Sequence, residues 1–138
     1  MIAAIALTWG VPTFVQAADD REAIVVSAEQ RDFILAEMRD FLIAVQDIVL
    51  ALAEDDVTTV AEVSKSMGLG QGQGMGRAMG LNRVLPMEFR QMARGTHGAF
   101  SELAQAAEMG PEGLLEDLGI LMSNCTGCHG AYKLVVKK

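Results

Sequence analysis

The sequence predicts an all-α fold, an antiparallel four-helix bundle, and three observations carry that expectation. Apolar residues recur at three- and four-residue spacings along most of the chain, the period of a helix with one buried face. No segment alternates with period two, and Val/Ile-rich runs flanked by turns are absent, so no strand is expected. Acidic, Gly-rich and Gly-Pro breaks divide the periodic region into four stretches, which suits helices packed around one core.

Residues 1–17 (MIAAIALTWGVPTFVQA) carry no charge and end in the small-residue signal Val15-Gln16-Ala17. They read as the apolar core and cleavage site of a secretory signal peptide, cut after Ala17. The basic n-region is missing, which leaves open a true N-terminus upstream of Met1. A membrane span is disfavoured, because the apolar stretch is short and Pro12 interrupts it. Residues 18–138 then form one domain. The net charge of −7 belongs wholly to them, which argues against nucleic acid and against anionic membrane surfaces.

The first helix begins at Ser27, whose hydroxyl caps while Gln30 reaches back. Its seam is Ile34, Met38, Phe41, Val45, Ile48 and Leu52, the four-three spacing of a left-handed bundle. Leu35, Leu42 and Val49 widen that seam into a core-facing stripe. Glu54-Asp55-Asp56 ends this helix and caps the next, near Val57 to Met67, with Gly68 as its stop. Residues 68–80 (GLGQGQGMGRAMG) hold six glycines in thirteen and read as a flexible loop. Met75 and Met79 there have no histidine or cysteine neighbour in sequence and make a poor copper site.

Pro86 opens the third helix, whose seam is Leu85, Phe89, Met92, Thr96, Ala99, Leu103 and Ala106. Gly95 and Gly98 leave room for something bulky at the backbone, a cofactor edge or a neighbouring helix. After Met109-Gly110-Pro111 the last helix runs with Leu114, Leu118, Leu121, Cys125, Cys128, Tyr132 and Val135 on its inner face.

That helix holds both cysteines, in Cys125-Thr126-Gly127-Cys128-His129. C-x-x-C-H reads as a c-type haem attachment site. Two thiols add across the vinyl groups of one porphyrin edge, and the following histidine becomes the proximal iron ligand. Zinc would need a fourth ligand, and His97 is the only other histidine. A thioredoxin-like pair belongs at a strand-to-helix turn. A plain disulfide leaves His129 unexplained. The thiols fall in register with the core stripe, which places one covalent haem c inside the bundle. Haem is joined to such motifs outside the cytoplasm, so motif and leader agree on a periplasm.

This arrangement resembles the class II c-type cytochromes, the cytochrome c′ group. The specific part is C-x-x-C-H-x-x-Y followed by a basic residue: Cys125, Cys128, His129, Tyr132 and Lys133. The resemblance implies thioethers at Cys125 and Cys128, His129 on the iron, Lys133 beside the proximal imidazole or a propionate, and Tyr132 against the haem edge. Members with a first-helix methionine on the distal face are low-spin electron carriers. Members with an apolar residue there are five-coordinate and bind nitric oxide or carbon monoxide. Met38 is the residue on which that split turns, and it is read as the sixth ligand; Leu35 is the apolar alternative, favoured by Arg31 one turn earlier. Phe41 would line the pocket. Homodimerisation through the first two helices is common in the group.

The favoured function is electron transfer to a redox partner protein, with gas binding as the alternative. An enzyme needs a distal acid–base group, and Glu37, Asp40 and Asp47 fall off the first-helix seam. Met92 and Met122 read as core residues, and His97 as exposed or locally hydrogen-bonded.

Overall fold

A computed structural model of the chain describes residues 19–70 and 73–137, and the expected leader at 1–17 lies outside them. The order is β1 (Glu22–Val26), α1 (Ala28–Ala53), α2 (Val57–Met67), α3 (Gln73–Ala78), α4 (Leu81–Val84), α5 (Met87–Met109), α6 (Leu114–Ala131) and β2 (Tyr132–Val136). The chain is mostly helical, and among the described residues no helix is long and apolar enough to cross a membrane.

Local chemistry sets the helix ends. At α1 the Ser27 Oγ accepts from the Gln30 N–H at 3.2 Å and the Gln30 Oε1 accepts from the Ser27 N–H at 3.0 Å, a complete capping box. Asp56 caps α2 by accepting from the Thr59 N–H at 3.0 Å. Gly68 ends α2 in extended rather than left-handed backbone. It is glycine because a Cβ there would lie 2.5 Å from the Ser101 Oγ of α5. α2 and α5 approach closely at that point.

One apolar cluster joins the four long helices: Phe41, Ala44, Ile48 and Ala51 of α1, Val60 of α2, Phe100, Leu103 and Ala107 of α5, and Leu114, Leu118 and Leu121 of α6. Phe41 stacks on Phe100 with ring centroids 5.4 Å apart. The α1 stripe turns the other way from the one expected. Ala44 and Ala51 are buried, whereas Leu42 is 69% and Val49 47% exposed. Small residues on the Ala44 side let α2 pack against α1, and the leucine–valine side is left outward. Likewise, Phe100 is fully buried although it lies beside the α5 seam read from the sequence.

Three further expectations are corrected. The Gly-rich stretch is not a loop throughout, because α3 forms within it and α4 follows directly after it. Tertiary anchors override the weak local propensity: Leu81 is buried among Ile24, Val26, Ile34 and Phe89, and the Gln30 side chain donates to the Met79 carbonyl at 2.9 Å. The last helix stops at Ala131, so Tyr132 and Val135 lie on a strand. That strand pairs in parallel with an unexpected β1, from Glu22↔Tyr132 to Val26↔Val136. β1 buries Ile24 and Val26 alone; two inward residues are too few to show a period of two in the sequence. The pair closes the beginning of the described chain onto the end of α6.

Candidate functional site

The motif occupies the last turns of α6, ahead of the Tyr132 C-cap. Cys125 and Cys128 are free thiols, each half-buried. Burial pushes both thiols above their ordinary range, and for Cys128 the neighbouring Cys125 adds to the rise. A helix C-terminus has the same effect, since its dipole disfavours a thiolate. Reactive dithiol motifs need the opposite, a lowered thiol pKa. Nor do the donors assemble as a zinc site: among the described residues no three of His, Cys, Asp or Glu gather around a common point.

Cys128 packs against a second apolar cluster that contains Ile34, Phe89, Leu81, Met38 and Tyr132. Met38 of α1 is half-buried and touches both clusters. Cys128 and Met38, ninety positions apart in sequence, thus pack against the same cluster. Met92 of α5 lies over the same turn, its Cε 3.5 Å from where a Cβ on Gly127 would stand. Tyr132 meets Phe89 edge-on at 5.4 Å. Phe41 sits deeper, in the main core.

α1 packs closely on α2, α2 on α5 and α5 on α6, but α1 and α6 are not among the closely packed pairs. Val49 and Leu115 line one cavity of about 420 Å³ between the end of α1 and the start of α6. With Met38 and Cys128 sharing a cluster at the opposite end, the two helices run antiparallel along a loose seam. Leu35, Leu42 and Val49 repeat every seven residues along α1, as do Leu115, Met122 and His129 along α6. Such spacing keeps each set on one side of its helix, and Val49 and Leu115 both border that cavity. Leu42, Val49, Leu115 and Met122 are exposed hydrophobics, and His129 is exposed too. A flat apolar group held by two thiols and an imidazole fits this donor set and this seam.

Gly95 and Gly98 are not explained by close helix packing, since an added Cβ at either would meet nothing within 4 Å. His97 is locally hydrogen-bonded: Nδ1 lies 2.7 Å from the Met67 carbonyl and Nε2 3.5 Å from Glu37 Oε1. Its ring is 5.1 Å from that of Phe41. The carboxylate of Glu37 raises its pKa, against the opposing effect of burial.

Lys133 is engaged by Asp19, donating to its carbonyl and standing 3.7 Å from its carboxylate. Arg21 Nη1 donates to the carbonyls of His129 at 3.2 Å and Tyr132 at 3.4 Å. Sequence reasoning missed Asp19 and Arg21, because their relevance depends on a strand pairing across almost the whole chain. Comparison with protein-family models, with curated proteins and with solved structures yields no match to this chain.

Proposed function

We propose that this chain is a c-type cytochrome of the class II kind, an antiparallel four-helix bundle that carries electrons in the periplasm. Cys125 and Cys128 would form the thioether links, and His129 and Met38 would hold the iron. The observation that carries this reading is that Cys128 and Met38 pack against one apolar cluster, beside a helix seam that is not closely packed. Haem, when bound, supplies a one-electron iron couple. The chain's own residues set the conditions for it. Cys125 and Cys128 tie the cofactor to a rigid helix, so little rearranges on electron transfer. Ile34, Phe89 and Leu81 keep water from the cluster, and a dry surround favours the less charged, reduced state. A thioether from Met38 favours reduced iron in the same sense. Residues 1–17 act as the export leader, and a redox partner protein takes the electron.

A second reading rests on one observation. Leu35, not Met38, continues the seven-residue Leu42–Val49 stripe of α1, as His129 continues the Leu115–Met122 stripe of α6. With Leu35 over the distal face the iron would be five-coordinate and open to nitric oxide or carbon monoxide. Visible spectra of the oxidised and reduced holoprotein, with and without carbon monoxide, separate the two. A low-spin spectrum with a sulfur-to-iron band, indifferent to the gas, supports Met38. A high-spin spectrum that shifts with the gas refutes methionine ligation and supports Leu35.

A further inference from the structure

The last carbonyls of a helix have no partner within it, and a cation there complements the negative end of the helix dipole. In α6 the Arg21 guanidinium fills this role from outside the helix, donating to the carbonyls of His129 and Tyr132. It is itself aimed by Asp19, whose carboxylate accepts from Nε at 2.8 Å and from Nη2 at 2.9 Å. Lys133 closes the group on the other side of Asp19. β1 begins at the very next residue, Glu22, paired with Tyr132, so the Arg21 backbone is fixed relative to α6. One cation therefore holds the His129 carbonyl, with an anion paired to it and a second cation beyond that anion.

We propose that Arg21 is a positioning residue for the His129 imidazole, and that Asp19 moderates the positive charge this places beside it. The inference rests on the haem reading above and adds to it a device that the C-x-x-C-H motif does not contain. With its carbonyl held by Arg21, His129 is kept from fraying with the end of α6, so the backbone from which its ring extends stays fixed. Partners outside the ligand set orient ligands and tune the metal in this way. The charge acts as well: a cation near the iron disfavours the more positive, oxidised state, and an anion paired with that cation weakens the effect. Arg21 and Asp19 side chains are 40% and 45% exposed, so the pair adds little to stability. Its influence is read in the potential.

The test is potentiometry of the holoprotein as wild type, Arg21→Ala, Arg21→Lys and Asp19→Asn, with far-UV circular dichroism to confirm folding. Arg21→Ala shifts the midpoint to more negative values, Arg21→Lys restores most of it, and Asp19→Asn shifts it to more positive values. Loosening of the terminus alone would move both Arg21→Ala and Asp19→Asn the same way. Shifts of the same sign, or none in folded protein, overturn the inference. Wild-type protein that carries no covalent haem overturns the functional reading and this inference together, whereas attached haem with unmoved potentials overturns this inference alone.

Discussion

Raising the pH through its elevated pKa removes a proton from His97, and with it one of the contacts that tie α5 to α1. Both neighbours of the ring, the Met67 carbonyl and the Glu37 carboxylate, only accept. The charged imidazolium donates to both; the neutral ring keeps Nδ1–H on Met67 and turns a lone pair toward Glu37. The folded pKa is raised above the ordinary value of 6.5. The stabilisation is therefore complete below that value and disappears as pH rises through the higher folded one. Only the Glu37 contact is lost. At 3.5 Å, with Glu37 31% exposed, it is worth about 1 kcal/mol. In a domain of this size that is roughly 3–6 °C in Tm. Asp40, which lines the same concavity as Glu37 and His97, contributes a smaller attraction of the same sign. Thermal unfolding followed by circular dichroism, from below pH 6.5 upward, reads the effect. Glu37→Gln should flatten that part of the profile. Equal losses in wild type and Glu37→Gln would refute the assignment.

Other consequences follow from single contacts. Gly68→Ala forces a Cβ against the Ser101 Oγ, 2.5 Å away, and should cost about 1–3 kcal/mol in denaturant unfolding. Ser101→Ala removes the clashing oxygen, so the double variant should be less destabilised than the two separate losses added together; simple additivity would contradict the close approach. Met38→Ala should convert a low-spin haem spectrum to a high-spin, carbon monoxide-binding one, and an unchanged spectrum would remove Met38 from the ligand set.

The helices were legible because their signals are local. The Ser27–Gln30 box and the Asp56 cap depend on residues three apart, and Ile34, Phe41 and Ile48 show their periodicity within a single element. What escaped was set by distant partners. Ala44 and Ala51 face inward in place of Leu42 and Val49, since helix approach rewards small side chains that a hydrophobicity pattern undervalues. α3 forms in a Gly-rich stretch and α4 just after it, anchored by the buried Leu81 and by the Gln30 side chain, signals that local composition does not carry. β1 and β2 are five residues each, and each forms only because the other is present. At the site, C-x-x-C-H is readable because the chemistry demands that spacing. The packing of Met38 and Cys128 against one cluster requires the fold, as does the clasp of Asp19, Arg21 and Lys133.

The most direct test of covalent haem at Cys125 and Cys128 is the intact mass of the protein exported to a periplasm that can attach haem, compared with the Cys125→Ala, Cys128→Ala double variant. The account predicts that the wild type gains the mass of one haem, which survives denaturation, and that the double variant gains none. A wild-type mass equal to that of the bare polypeptide, or an increment that persists without either cysteine, would contradict it.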